Sequence, residues 1–399
     1  MSDFLPLDGP PFLPIRPGAE VAPVLATPVR LLRQAVLEGV FPGASVAIGC
    51  RGEISFIQAG RQTYEENSPP VSADTIYDCA SLTKVVATTA LAMLLFDTSV
   101  LGLDDSIARY LPAFLDQEIS ESEADARRRV SVRHLLAHSS GLPAYEKFFL
   151  RGRQREHVLA EALALPLEAA PGTRTLYSDV GFILLGELLE RAASCDSHVD
   201  GVLTRCPREI FSPLGMSDTF FNPPRELLPR IAPTEQDNAF RHRLVHGEVH
   251  DENAWVMGGV AGHAGLFSTA PDLANFCQMM LQEGMWKGSQ IIKAETIREF
   301  TRSQSGSPAG PSANVAPRGV SRGLGWDKPS APSSSGKYFS PAAYGHLGFT
   351  GTSIWIDPAK QLFVVLLTNR VHPTRDNEAI RAFRPIFHDA VVEALDLTS

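Results

Sequence analysis

Residues 78–96 read DCASLTKVVATTALAMLLF, and the rest of the chain is interpreted outward from this stretch. It is apolar on nearly every side for more than fifteen residues, which predicts a buried helix that begins near Ser81. At the start of this helix stands Ser81-Leu-Thr-Lys84, a Ser-x-x-Lys pattern. Residues three apart lie on one face of a helix, so we expect the Lys84 amine to reach the Ser81 hydroxyl.

This pattern suits nucleophilic catalysis. A serine hydroxyl becomes an effective nucleophile only when a neighbouring group accepts its proton, and burial lowers the pKa of a lysine toward the range that a base needs. The first turn of a helix also favours a developing oxyanion. A second copy, Ser334 to Lys337, lies in a segment (303–337) dense in Ser, Pro and Gly that offers no burial. The alternative for Ser81 is a helix N-cap beside a snorkelling lysine.

Strand patterns stand at both ends of the chain. Two strands joined by a short turn are predicted twice, in GASVAIGCRGEISFIQAG (43–60) and in TSIWIDPAKQLFVVLLTN (352–369). Helical patterns dominate between them and also close the chain. We therefore predict an α/β (α+β) fold made of a discontinuous α/β domain (24–80 and 300–399), a mainly helical lobe (81–299) with the active site at the junction, and an extended N-terminal arm (1–23).

Composition excludes several classes of protein. The 399 residues carry 36 Lys and Arg against 45 Asp and Glu, so a nucleic-acid partner is not expected. Five scattered cysteines without a C-x-x-C pair argue against a disulfide framework or a thiolate zinc site. No signal peptide is visible, and the apolar run 85–96 is shorter than a bilayer span, so we expect a cytoplasmic protein without a membrane span.

Two later segments complete a recognisable set. Tyr177-Ser-Asp179 follows a Pro-Gly turn and precedes a helical pattern, and His346-Leu-Gly348 precedes a strand pattern. With Ser81-x-x-Lys84 they resemble the three motifs of the serine β-lactamase and penicillin-binding-protein superfamily. The chain is most similar to its class C-like branch, which includes family VIII esterases and penicillin-binding-protein-4B-like serine hydrolases.

The resemblance covers about residues 28–395 and implies a β-lactamase/transpeptidase-like fold. In that fold an antiparallel sheet is flanked by helices, and an all-helical lobe is inserted beside it. The resemblance further implies that Ser81 is acylated and that Lys84 is its proton partner. Tyr177 would be the general base of acylation and the acid that protonates the leaving group.

The third motif supplies the remaining expected site residues. By resemblance, His346 lines the site and orients Tyr177 or a substrate anion. The backbone N–H groups of Ser81 and of Phe349, next to Gly348, would form the oxyanion hole. An unperturbed histidine is mostly neutral at pH 7–8 and charged near pH 5.5, so we expect His346 to attract carboxylates only in acid.

The motifs depart from the family pattern at three points. Asp179 stands where Asn is usual, Leu347 stands where Thr is usual, and a Lys-Thr-Gly is absent. If Asp179 lies near Lys84, it raises the pKa of that lysine and leaves proton abstraction mainly to Tyr177. These changes weaken a β-lactamase assignment more than a serine-hydrolase assignment.

Other histidines raise the alternative of metal hydrolysis. His134 and His138 are four residues apart but lack the glutamate of H-E-x-x-H. The series His242, His246 and His250 lies in a polar segment that a glycine interrupts, which favours a loop near the substrate pocket. His263 belongs to a second His-x-Gly, which we interpret as a structural turn before a helix. We expect neither a metal nor an organic cofactor.

The sequence therefore predicts a serine acyl hydrolase, esterase-like on small acyl substrates. D-alanyl-D-alanine carboxypeptidase or β-lactamase activity is the first alternative. A non-catalytic binding protein on the same fold is an alternative of another class. The oligomeric state stays open.

Overall fold

The computed structural model describes residues 23–116, 119–152, 154–193, 205–304, 322–330 and 332–398. Nearly all of the predicted N-terminal arm, Cys195 and about half of the Ser/Pro/Gly-rich segment 303–337 lie outside the described residues.

Strands and helices are distributed along the chain as follows. The strands are β1 Gly43–Cys50, β2 Glu53–Gly60, β3 Tyr77–Asp78, β4 Phe220–Phe221, β5 Gln236–Asp237, β6 Arg243–Leu244, β7 Leu266–Ser268, β8 Met285–Trp286, β9 Ser289–Gln290, β10 Tyr344–Leu347, β11 Ser353–Asp357 and β12 Leu362–Thr368. The α-helices are α1 Ala26–Leu37, α2 Ala90–Asp97, α3 Glu121–Arg128, α4 Val132–Leu136, α5 Arg155–Ala164, α6 Asp179–Ala193, α7 Ser212–Leu214, α8 Glu252–Val256, α9 Ala270–Leu281, α10 Ala294–Thr301 and α11 Ile380–Ala394.

The main sheet joins the two ends of the chain. Its strands follow the order β10-β11-β12-β1-β2, and every neighbouring pair is antiparallel. In β1 and β12 the register runs from Ala44 opposite Thr368 to Cys50 opposite Leu362. An antiparallel sheet flanked by helices confirms the predicted α+β fold. The domain boundaries themselves stay predictions.

Both faces of this sheet are covered. In β12, Phe363, Val365 and Leu367 pack into the core shared with the helical lobe, whereas the alternate side chains face α1 and α11. A strand buried on both faces needs apolar residues at every position, which explains the unbroken run LFVVLLT. The β1–β2 hairpin turns at Arg51 and Gly52, whose positive φ angles suit a tight hairpin.

The apolar stretch after β3 forms one long helical segment, Ala80–Asp97, on the lobe side of the sheet. A 3₁₀ turn, Ala80–Leu82, leads into a π-helical segment, Lys84–Thr89, and then into α2. By length and composition the whole segment Ala80–Asp97 could cross a membrane, although the apolar run 85–96 inside it is shorter than a bilayer span. In the structure 78% of this segment is buried inside the protein, which is the position of a core helix.

A second, smaller sheet lies at the start of this helical segment. Strand β7 pairs with both β3 and β4, and it begins directly after His263-Ala-Gly265. The expectation that a helix follows this turn directly was therefore wrong; a three-residue strand comes first, and α9 follows it. Pairing with Asp78 and Phe220 imposes an extended backbone that the local pattern did not indicate.

Candidate active site

The backbone makes a sharp turn immediately before Ser81. Strand β3 ends at Asp78, and Ala80 then adopts a φ of 47°, a conformation that residues other than glycine rarely take. The Ala80 N–H donates to Asp78 Oδ1 at 2.8 Å, and the Cys79 N–H donates to the Leu266 carbonyl at 2.8 Å. These bonds stabilise the turn and place Ser81 in the first turn of the helical segment.

Two side chains contact the Ser81 hydroxyl. Lys84 Nζ lies 3.0 Å from Ser81 Oγ, and Tyr177 Oη lies 2.9 Å from the same atom. Lys84 comes from the helical segment that Ser81 begins, whereas Tyr177 comes from the chain just before α6. The first two motifs of the sequence thus meet at one oxygen atom.

Lys84 is fully buried and held by three acceptors. Besides Ser81, its ammonium contacts Asp179 Oδ1 at 2.7 Å and the His263 carbonyl at 2.9 Å. Burial by itself would lower the pKa of Lys84, but the charge of Asp179 and the contact with Tyr177 outweigh it and raise the pKa. Lys84 is therefore an ammonium at neutral pH and a poor proton acceptor.

Tyr177 is a neutral phenol in the resting site. Its burial raises the pKa of the hydroxyl, while the Lys84 ammonium, 5.0 Å from the ring centroid, acts in the opposite direction. The His138 ring packs against Tyr177 with centroids 4.6 Å apart, and His138 Nδ1 accepts the Ser178 N–H at 3.0 Å. His138 thus orients the second motif.

His346 is buried beside Tyr177, with ring centroids 5.8 Å apart. Its Nδ1–H donates to the Leu347 carbonyl at 2.8 Å, and its Nε2 has no hydrogen-bond partner among the residues that the structure describes. Burial, aided by the positive charges of Lys84 and Arg322, lowers the pKa of His346 to about 4. The expectation that acid near pH 5.5 charges this imidazole was therefore wrong, because an unperturbed pKa does not apply to a buried ring.

The third motif leads into a tight turn, residues 348–352, which is bonded to the segment before Ser81. Thr350 Oγ1 donates to the Asp78 carbonyl at 2.7 Å, and Thr352 Oγ1 donates to the Cys79 carbonyl at 3.0 Å. The Gly348 N–H donates to the Thr352 carbonyl at 2.7 Å, so it is not free for a substrate. A Cβ at Gly348 would lie 2.6 Å from the Cys79 carbonyl oxygen, and only glycine permits this approach.

Two backbone N–H groups at this junction are free to bind an anion. Within the described part of the chain, the N–H groups of Ser81 and Phe349 donate to no acceptor. The Phe349 side chain is 49% exposed and packs between the His250 ring, 5.7 Å away, and the Arg370 guanidinium, 4.4 Å away. Gly348 thus contributes space rather than a donor, and Phe349 contributes the donor.

The other histidines serve separate structural contacts. His134 closes a capping box with Ser131 at the start of α4. His246 Nε2 bonds to backbone carbonyls, whereas His250 Nε2 contacts Glu235 at 2.9 Å. Across the described ranges, no group of three or more His, Cys, Asp or Glu side chains is arranged to hold a metal ion.

Two features near the site were missed by the sequence analysis. His263 Nε2 donates to Asp251 Oδ1 at 2.8 Å, which fixes the residue whose carbonyl holds Lys84. The Arg322 guanidinium lies 5.6 Å from the Tyr177 ring centroid and pairs with Asp327. The His-x-Gly motif at His263 was a sequence signal for the first feature. No sequence motif marked Arg322.

Comparisons with known proteins bear on the family and the fold of the chain. The β-lactamase family profile matches residues 29–385. A protein of Escherichia coli K12 named "Putative D-alanyl-D-alanine carboxypeptidase" is 34% identical over 330 residues, 76% of this chain and 71% of that protein. A penicillin-binding-protein homologue from Caulobacter crescentus has a TM-score of 0.71 at 21% identity, covering 94% of this chain and 99% of its own. EstCE1, titled a hydrolase with promiscuous acyltransferase activity, has a TM-score of 0.71 at 22% identity, covering 92% and 98%. At these identities the two structures show the shared fold.

Proposed function

The chain belongs to the β-lactamase family, and from that premise we propose that it hydrolyses small acyl esters through an acyl-enzyme at Ser81. Members of this family are serine hydrolases, which is the general activity of the chain. One observation carries the proposal: Ser81 Oγ lies within 3.0 Å of Lys84 Nζ and 2.9 Å of Tyr177 Oη. A nucleophile in contact with a proton acceptor and a cation has what acyl transfer needs.

Acylation requires the Ser81 proton to leave as Oγ attacks the acyl carbonyl. Tyr177 in its ionised form accepts that proton, and the Lys84 ammonium stabilises the phenolate before the transfer. When the tetrahedral intermediate collapses, the phenol returns the proton to the leaving alcohol. Water then attacks the acyl-enzyme with the same proton transfers, which frees Ser81 and regenerates the phenolate.

Charge on the acyl oxygen develops in the tetrahedral intermediate. The free N–H groups of Ser81 and Phe349 are the donors that we assign to this oxyanion. Since Thr350 and Thr352 bond the turn to the segment before Ser81, the two donors are fixed relative to each other before substrate arrives. Donors fixed in advance need no reorganisation during the reaction.

The neutral state of His346 favours esters over substrates that carry a carboxylate. Relatives often place a lysine at this position, and an ammonium there attracts an anion at every physiological pH. His346, with a pKa of about 4, supplies no such charge, and its free Nε2 is an acceptor. A neutral acyl ester therefore fits this side of the site.

D-alanyl-D-alanine carboxypeptidase activity is the second candidate, and Arg322 is the observation that favours it. Its side chain is 10% exposed and lies beside Tyr177, where its planar cation could bind a terminal carboxylate. The name of the Escherichia coli relative also favours carboxypeptidase activity.

A side-by-side assay separates these functions. We expect the neutral p-nitrophenyl ester to give a higher kcat/KM than an acyl-D-alanyl-D-alanine peptide or a chromogenic cephalosporin. A peptide that is the best substrate, and that loses its advantage in Arg322→Gln, would replace the esterase proposal by the second candidate. A fluorophosphonate probe that fails to label Ser81 would instead support a non-catalytic binding protein.

A further inference from the structure

A buried arginine of the C-terminal helix lies behind the turn that carries the Phe349 N–H. Arg384 belongs to α11 and is 5% exposed. Its Nη2 donates to the Gly348 carbonyl at 3.0 Å and to the Thr352 carbonyl at 2.8 Å. Among the residues that the structure describes, no carboxylate lies within ion-pair distance of its guanidinium. Within the described ranges, the acceptors of this cation are therefore backbone carbonyls.

This arrangement is unusual on energetic grounds. A charged group taken out of water is costly unless a counter-ion and hydrogen bonds compensate it. The nearby cations Arg370 and Arg381 raise the free-energy cost of this buried charge further. Burial and these two neighbours lower the pKa of Arg384 to about 9, which still leaves it protonated at neutral pH.

The position of the first hydrogen bond gives the arginine a chemical effect. The Gly348 carbonyl and the Phe349 N–H belong to the same trans peptide group, so they point in opposite directions. A cation at the oxygen end draws electron density along this peptide and makes its N–H a stronger donor, as in a cooperative hydrogen-bond chain. The N–H end is the one that we assigned above to the oxyanion.

We propose that Arg384 is a positioning residue of the oxyanion hole, which holds and polarises the Gly348–Phe349 peptide through its carbonyl oxygen. The inference rests on the proposed function, because it needs the Phe349 N–H to bind the oxyanion. Arg370 has a different effect: its Nε donates to the Phe349 carbonyl at 2.8 Å, which belongs to the next peptide. Arg370 thus fixes the Phe349 residue, and Arg384 acts on its N–H.

Two substitutions separate charge from hydrogen bonding. Arg384→Lys keeps a cation on a side chain of nearly the same length, whereas Arg384→Gln keeps only a neutral donor on a shorter side chain. For the neutral ester, we expect Arg384→Gln to lower kcat/KM about tenfold to a hundredfold with KM within about twofold, and Arg384→Lys to lose far less. An arylboronic acid, which forms a tetrahedral adduct on Ser81, should bind Arg384→Gln more weakly by the same factor.

The matched control is Arg127, another buried arginine that donates to backbone carbonyls, at Phe114, Leu163 and Leu165. Arg127→Gln should lower Tm without changing kcat or boronic-acid affinity, because its carbonyls lie in the helical lobe. Equal losses in Arg384→Lys and Arg384→Gln, or unchanged values in a folded Arg384→Gln, would overturn the inference.

Two further readouts keep the test decisive. If Arg384→Gln does not fold, the infrared stretch of the acyl-enzyme carbonyl is compared between the wild type and Arg384→Met, which removes the cation and fills the buried space with an apolar side chain. A higher wavenumber in the variant supports weaker polarisation of the Phe349 N–H, and an unchanged wavenumber contradicts it. Mass spectrometry of the wild type distinguishes failure of the proposed function from failure of the inference. Without an ester adduct on Ser81, both fail. An adduct together with unchanged variants overturns the inference alone.

Discussion

The chain carries the pattern Ser-x-x-Lys twice, and the two copies have opposite environments. Lys84 of the first copy is fully buried, with Asp179 at 2.7 Å and Ser81 at 3.0 Å. Lys337 of the second copy has a side chain that is 64% exposed, and it lies 3.9 Å from the carboxylate of Glu393, which is 51% exposed. The same four-residue spacing thus gives a hydrogen-bonded pair with a buried lysine in one place and a solvated surface in the other.

The difference lies in what surrounds the pattern. A short turn after a paired strand places Ser81 at a helix start. Groups from 95 or more residues away then contact the motif: Tyr177 contacts Ser81, and Asp179 and the His263 carbonyl contact Lys84. In the second copy Ser334 uses its backbone carbonyl to accept from His388, which leaves its hydroxyl outside any comparable cluster among the described residues. A short motif predicts chemistry only when the fold buries it against partners.

The largest expected effect tests the comparison directly. Ser81→Ala should reduce ester turnover at least about 10⁴-fold and abolish fluorophosphonate labelling, because no other group can be acylated there. Its stability should change by no more than about 0.5 kcal/mol, since the removed oxygen is small and partly buried. Ser334→Ala is the matched control and should leave turnover, labelling and Tm unchanged. Comparable losses in both variants would contradict the proposed difference between the two copies of Ser-x-x-Lys.

The second prediction concerns Tyr177 and Asp179, the groups near Ser81 that have no counterpart near Ser334. Tyr177→Phe should lower kcat about 10²- to 10³-fold because it removes the proton acceptor. Since burial raises the pKa of Tyr177, its ionised fraction is small at neutral pH, and kcat/KM should rise with pH above 7.

Asp179→Asn should cost less, about tenfold or below, and should move this rising limb to lower pH. The Asp179 charge raises the pKa of both Lys84 and Tyr177, so its removal lowers both. A full pH–rate profile of each variant is the measurement. An unmoved profile in Asp179→Asn would contradict the electrostatic coupling.

The smallest expected effect concerns His346, whose burial again decides its charge. With a pKa of about 4, its imidazole stays neutral from pH 8 to pH 5.5. The ratio of kcat/KM for an anionic and a neutral ester of equal leaving group should therefore change less than about twofold across this range. His346→Lys should raise the ratio throughout, because an ammonium attracts the anion at every pH tested. A steep rise toward pH 5.5 in the wild type would show that the imidazole becomes charged after all.

Much of the fold followed from local patterns. The hairpin of β1 and β2, the strands β11 and β12 and the terminal helix α11 all lie where alternation, turn residues and helical spacing placed them. Strand β7 did not, because its extended form depends on two distant strands that no local window contains. Secondary structure set by long-range pairing escapes such patterns.

The candidate site, like the fold, could be predicted from the sequence only in part. Residues within a motif could be named, but their ionisation could not: the low pKa of His346 comes from burial, and the high pKa of Lys84 comes from Asp179. Arg322 and Arg384 could not be found at all, because each acts from a segment without a motif. Sequence names the reacting groups, and packing sets their charge.

The threonines that join the turn at 348–352 to the segment before Ser81 also bear on how the protein reaches its working form. Their hydrogen bonds connect residues that are 272 and 273 positions apart in the chain. Contacts of such sequence separation are among the costliest to close and form late when a chain refolds. Ester turnover during refolding from denaturant should therefore appear after helical circular dichroism has recovered, and a nascent chain that has not yet left the ribosome to residue 352 cannot have a complete active site.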